Sequence, residues 1–157
     1  MLNKKTLLLA ATFIIVGNSF AHADERFPSI KDETVKKECG DCHMAFQPQM
    51  LPQRSWVKIM DTLGDHFGED ASLDKATAEG IKNYLVENAS DAGWWSGKFM
   101  RGVRDDWVPL RITEIPYWVR EHNEEVPNYA WSDPKVKSKA NCAACHPRAD
   151  MGNYDDD

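Results

Sequence analysis

The chain has 157 residues, with 25 acidic and 19 basic side chains and a net charge of −6. That balance disfavours nucleic acid and anionic membrane surfaces as ligands and suits a partner with a basic docking face. A chain of this length holds one or two small domains, each too small for a large conventional core, so something besides apolar side chains must help to stabilise them.

The first element reads as an export signal. Lys4 and Lys5 precede an apolar run from Leu7 to Val16, and Ala21-His22-Ala23 supplies the small-x-small pattern of a cleavage site. The run is about half of the roughly 20 residues that a membrane-spanning helix needs, so no stable membrane anchor is expected. Removal of residues 1–23 leaves 25 acidic against 17 basic side chains, a net charge of −8. Residues 93–120 stand apart, with five basic and three acidic side chains.

Residues Asp32 to Cys39 predict a short charged helix, and Pro48 and Pro52 limit any helix in the polar stretch that follows. From Gln53 to Leu63, the residues Trp56, Ile59, Met60 and Leu63 fall on one helical face. Gly64 is expected to end that helix, and Asp65-His66-Phe67-Gly68 to form a tight loop. A further helix is predicted from Asp74 to Asn88, with Ile81, Tyr84, Leu85 and Asn88 on one side. Ala89 to Gly102, with three glycines and the Trp94-Trp95 pair, reads as a linker, and the domain boundary is placed near residue 92.

Thr113 is expected to cap a short helix in which an early Pro116 is tolerated and Trp118, Val119 and His122 share a face. Ser132-Asp133-Pro134 is read as the start of a helix that delivers Cys142 to His146. After Arg148 the chain is short and polar, and reads as a solvated, frayed end.

All four cysteines fall in two motifs, Cys39-Gly-Asp-Cys42-His43 and Cys142-Ala-Ala-Cys145-His146. Cys-x-x-Cys-His is the attachment sequence of c-type haem. One turn of chain presents two thiols to the haem vinyl groups and aims the next imidazole at the iron from the same face. Disulfides, a four-thiolate zinc site or a thioredoxin-like pair would each explain the cysteines. None of them calls for a histidine after both pairs. Two covalently bound haem c groups are therefore expected.

Outside the signal there are four histidines, and two are proximal ligands. His66 and His122 are left, one for each iron, as distal ligands. Methionine is the competing distal ligand in many cytochromes. Met60 reads as packing and Met44 adjoins His43, whereas Met50 and Met100 stay open. His66 lies 23 residues after His43 and His122 lies 24 before His146, so short connections favour local over crossed pairing. Arg101, Arg104, Arg111 and Arg120 are candidates to neutralise haem propionates, with ordinary solvated arginines as the alternative.

With these residues placed, the chain resembles the small soluble diheme cytochrome c family. The resemblance covers nearly all of the chain after residue 23. It rests on Glu38 to Phe46, Leu51-Pro52 with Ser55-Trp56, Asp65 to Leu73, Arg111 to His122 and Asn141 to His146. It implies an all-α protein of two small haem-binding domains, a class I-like cytochrome domain (24–92) and a linker with an unusual C-terminal haem domain (93–157). It also implies bis-histidine ligation by His43, His66, His122 and His146.

The expected function is that of a periplasmic electron carrier, not an enzyme. Members of this family resemble donors to a small high-spin, oxygen-binding cytochrome, and some occur with a membrane cytochrome b. The rival readings are a haem peroxidase or reductase, or a haem-based sensor, each needing one open iron.

Overall fold

The computed structural model describes residues 26–93 and 97–155; the signal segment and the Trp94-Trp95 pair lie outside them. Four α-helices and a set of short 3-10 turns make up the regular structure among these residues. Two isolated β-bridges, Arg26 with Asn153 and His66 with Glu69, are the extended pairings there.

Helix α1 spans Glu33–Gly40. Asp32 stands outside it as the N-cap, its carboxylate accepting from the amides of Thr34 and Val35 at 2.8 and 3.0 Å. Helix α2 spans Gln53–Asp61 and buries Ser55, Trp56, Ile59 and Met60. It ends before Gly64, because the Thr62 hydroxyl bonds back to the Lys58 carbonyl (2.9 Å) and the chain tightens into a 3-10 turn over Leu63–Asp65. Helix α3 spans Lys75–Glu87, capped by Asp74 through the amides of Ala76 and Thr77. Its buried residues are Ile81 and Leu85, and it packs on both α2 and α1.

Helix α4 spans Pro116–Glu125. Pro116 occupies its first turn, where a missing N–H costs nothing. Thr113 does not cap it: that residue lies in a separate 3-10 turn, Ile112–Glu114, and Ile115 is the N-cap, with no side-chain bond. Tyr117 and Trp118 are its buried residues, whereas Val119 is exposed.

The helix expected to open at Ser132 is absent. Asp133 accepts from the Lys135 amide (2.8 Å) and Ser138 from that of Ala140 (3.2 Å), while Asn141 donates to the carbonyls of Lys135 and Val136. Lys137 is left-handed at φ 58°. These polar side chains satisfy the backbone locally and displace a helical ladder. Only a 3-10 turn, Cys142–Ala144, remains.

After Arg148 the described residues, 149–155, are packed against the rest of the chain and are not a frayed end. Ala149 is fully buried, and the Phe27 amide donates to the Gly152 carbonyl at 2.8 Å. The side-chain amide of the buried Gln47 donates to the Ala149 carbonyl (2.8 Å), and the Tyr154 hydroxyl donates to the Gln47 Oε1 (2.6 Å). Arg26 pairs with Asp155. Phe27 packs edge-on against both Phe99 and Tyr154. These contacts turn polar-looking residues inward, because the Gln47 side-chain amide and the Tyr154 hydroxyl satisfy each other and the Ala149 carbonyl. One hydrophobic cluster runs from Ile30 through Leu51, Ile81 and Phe99 to Ile115 and Trp118.

Candidate functional site: two opposed histidine pairs

Cys39 lies in the last turn of α1, and Cys42 and His43 follow in the turn beyond it. Gln47 and the 3-10 turn Pro48–Met50 carry the chain back under α2, where the Trp56 indole donates to the Pro48 carbonyl (2.7 Å). His66 comes from the loop after α2. Its amide donates to the Glu69 carbonyl at 2.7 Å, and Asp65 accepts from the Gly68 amide at 3.1 Å. Between them Phe67 is held at φ 59°, a left-handed conformation that a bulky side chain rarely adopts. The guanidinium of Arg111 lies 4.0 Å above the Phe67 ring.

This loop brings His66 opposite His43, with ring centres 6.1 Å apart and planes 25° from parallel. At the second motif, the amides of Cys145 and His146 both bond the Cys142 carbonyl, closing one tight turn. There His146 faces His122 of α4, with ring centres 6.4 Å apart and planes at 77°. The pairing is thus local at both places.

Both distances suit a single iron gripped on two sides: metal–imidazole bonds of about 2.0 Å put the ring centres about 6 Å apart. The second pair also lines a cavity of about 730 Å³, together with Cys142, Cys145, Phe27 and Trp118. That volume lies in the range of roughly 300–1,000 Å³ that cofactors and ligands of this size occupy. A smaller cavity of about 360 Å³ adjoins His66, with Ile59, Leu110 and Arg111 in its wall.

The donor chemistry agrees with this geometry. Burial, aided by neighbouring Glu38, pushes the Cys39 thiol up to about 11. Burial, with a further push from Cys145, raises the Cys142 thiol to about 11. No group of three His, Cys, Asp or Glu side chains among the described residues could hold a bare ion. Two facing imidazoles would instead fit a metal whose other ligands come from a macrocycle. Burial, with His43 and Arg111 nearby, lowers the His66 imidazole below its ordinary value and favours the neutral form that binds metal. The Nδ1 atoms of His43 and His122 lie 2.8 and 2.9 Å from the carbonyls of Met44 and Trp118, which leaves Nε2 for a metal.

Met50 is buried in the core and Met100 packs against it, while the positions opposite His43 and His146 belong to histidines. Of the middle arginines, Arg111 reaches the first site, whereas Arg104 is exposed and paired with Asp106, and Arg120 with Glu121. Sequence reasoning passed over Arg54, which donates to the carbonyls of Trp107 and Arg104 and braces that loop. It placed Trp118 and His122 on one helical face, and the structure stacks their rings.

Two motif turns, each with an opposed imidazole pair, define a c-type cytochrome with two haem sites. A model of the dihaem cytochrome c family matches residues 35–154. The chain is similar to a solved diheme cytochrome c from Rhodobacter sphaeroides at 42% identity, with a TM-score of 0.76, covering 81% of this chain and 99% of that one. A crystal structure of DHC purified from Rhodobacter sphaeroides matches with a TM-score of 0.67 at 42% identity, over 80% of this chain and 98% of that one. A diheme cytochrome from Shewanella baltica OS155 matches at 33% identity with a TM-score of 0.62, over 76% of this chain and 84% of that one. Comparison with curated proteins finds none that matches. The chain belongs to the dihaem cytochrome c family. It is a helical protein with two covalently bound haem c groups, and its class of activity is haem-based electron transfer.

Proposed function

We propose that the chain is an exported, periplasmic electron carrier that donates to another haem protein. In this reading Cys39 and Cys42 tether the first haem and Cys142 and Cys145 the second. His43 with His66, and His122 with His146, hold the irons. The observation that carries it is the pair of imidazole separations, 6.1 and 6.4 Å, each beside a Cys-x-x-Cys-His turn.

Bound haem supplies one-electron chemistry between ferrous and ferric iron. His43 with His66, and His122 with His146, would hold each iron from opposite sides, so a substrate would reach it only by displacing a histidine. The Met44 and Trp118 carbonyls beside the two Nδ1 atoms leave Nε2 as the nitrogen that each imidazole offers. The second cavity has apolar walls, with Met50, Ile112 and Trp118 buried and Phe27 half-buried. No helix among the described residues is long and apolar enough to cross a membrane.

The net negative charge suits a basic docking face on the acceptor. A small high-spin, oxygen-binding cytochrome is the proposed acceptor, and a membrane cytochrome b a further partner. The test is electron paramagnetic resonance of the oxidised protein with CO titration of the reduced form. Only low-spin iron and no CO binding are expected; a high-spin signal or tight CO binding would instead mark an enzyme or a sensor. Transfer to the acceptor should slow as salt rises, and a rate indifferent to salt would count against the docking charge.

A further inference from the structure

The two histidine pairs share a separation but not an orientation. The rings of His43 and His66 lie 25° from parallel, whereas those of His122 and His146 stand at 77°. What surrounds each distal ring differs as well. His66 meets Phe67 at a steep angle, with centres 4.8 Å apart at 63°, so the two rings do not stack. His122 has a flat indole laid on its face: the Trp118 ring lies 4.0 Å away and 18° from parallel.

Trp118 acts on His122 twice. Its carbonyl, one helical turn back, lies 2.9 Å from the imidazole Nδ1, and its indole covers the ring. A hydrogen bond to one atom leaves the ring free to swing about that axis, and a stacked plane removes the swing. The indole is itself held. It is 6% exposed, Trp131 packs beside it at 6.0 Å, and the Lys139 ammonium sits over both indoles at 5.9 and 5.2 Å.

Resting on the bis-histidine reading above, we infer that Trp118 is a positioning residue that sets the ring plane of His122 crosswise to His146, making the second haem site a crossed pair and the first a near-parallel one. An imidazole donates π electrons into the iron d orbital that lies perpendicular to its ring plane. Near-parallel rings act on one of two such orbitals and split them widely. Crossed rings act on both and leave them close in energy. In the ferric state the unpaired electron then carries much more orbital angular momentum at the second site, and its magnetic response is far more anisotropic.

The experiment is low-temperature electron paramagnetic resonance of the oxidised, two-haem protein, wild type and variant. The wild type should give two low-spin signals of equal spin count, one ordinary rhombic signal and one with a markedly larger greatest g value. Trp118→Leu and Trp118→Met fill the space without a flat face, and should move only the anisotropic signal towards the rhombic one. Trp118→Phe, whose smaller ring overlaps the imidazole less, should move it part of the way. If neither aliphatic variant takes up two haems, Trp118→Phe alone decides, by whether that one signal shifts. Two rhombic signals in the wild type would overturn the inference and leave bis-histidine ligation intact, whereas a high-spin signal would overturn ligation itself. An anisotropic signal unmoved in every variant that loads two haems would overturn the role of Trp118.

Discussion

The first histidine pair is set among regular helices, and the second mostly among turns. His43 follows α1 directly, and His66 follows α2, which packs on α3. His146 hangs from a 3-10 turn preceded by side-chain-capped loops, and only His122 has an α-helix beneath it. Yet the ring separations agree within 0.3 Å, 6.1 against 6.4 Å. Regular helices are therefore not needed to oppose two imidazoles. Where they are scarce, carbonyl bonds, aromatic stacking and contacts from distant segments do the positioning, and the cofactor becomes a larger part of the interior.

The largest effect expected from that difference concerns the tethers. A dry cavity of about 730 Å³ around His122 and His146 would, at about 24 cal/mol per Å³, cost more than the roughly 5–15 kcal/mol that holds a small domain together. Its walls must therefore collapse or flood without haem. A Cys142→Ala/Cys145→Ala variant should lose one haem by mass and the order of residues 126–155, while α1 to α3 keep most of the far-ultraviolet helical signal. A Cys39→Ala/Cys42→Ala variant should lose the other haem and more of that signal. Equal losses of helicity in the two variants would break the comparison.

A smaller effect is expected where the tail closes on the first half. Gly152 is left-handed at φ 82°, and a Cβ there would sit 2.2 Å from the Phe27 carbonyl oxygen. Gly152→Ala should therefore destabilise the holoprotein by about 1–3 kcal/mol. Denaturant unfolding followed at the haem bands would measure it. A change below that range would mean that the tail contributes little to the second site.

How much of this was legible in the sequence follows the same division. The helices of the first half carry local signals: their starts at Asp32 and Asp74, and the face Trp56, Ile59, Met60. Each needs only its neighbours in the chain, and each appears in the fold. The two Cys-x-x-Cys-His motifs and the spare histidines were equally plain, because metal chemistry restricts residue type and order. The turns before Cys142 were misread as helix, since Ser-Asp-Pro opens helices and turns alike and the decision lay with Ser138 and Asn141 further on. The tail was misread because its partner, Gln47, lies 107 residues from Tyr154. A contact of that range leaves no periodic trace in either segment.

That contact supports the third expectation. Gln47 has no measurable exposure, and burial pushes the Tyr154 phenol above its ordinary value, which keeps it a donor. Tyr154→Phe leaves the Gln47 Oε1 without that bond and should cost about 1–2 kcal/mol, with both haems still bound. Thermal unfolding followed at the haem bands checks it. Since Tyr154 also packs edge-on against His146 at 5.6 Å, the second haem should become the more easily released of the two. Earlier loss of the first haem would place the weak point in the helical half.

The smallest expected effect separates the sites by charge. Arg111 lies over Phe67 and beside the His66 cavity, on the first site alone, with its side chain half exposed and loosely paired with Glu114 at 3.8 Å. A positive charge there disfavours the ferric state, so Arg111→Gln should lower one midpoint potential and leave the other in place. Because water screens an exposed guanidinium, the shift should be on the order of tens of millivolts. Arg104→Gln is the control: it removes the same charge from a side chain that is exposed and already paired with Asp106. Equal shifts from both variants would mean that the two haems sense the net charge of the chain, and the local placement of Arg111 would carry no meaning for the first site. A shift confined to Arg111→Gln would show that electrostatics, like ring orientation, is set separately at each iron.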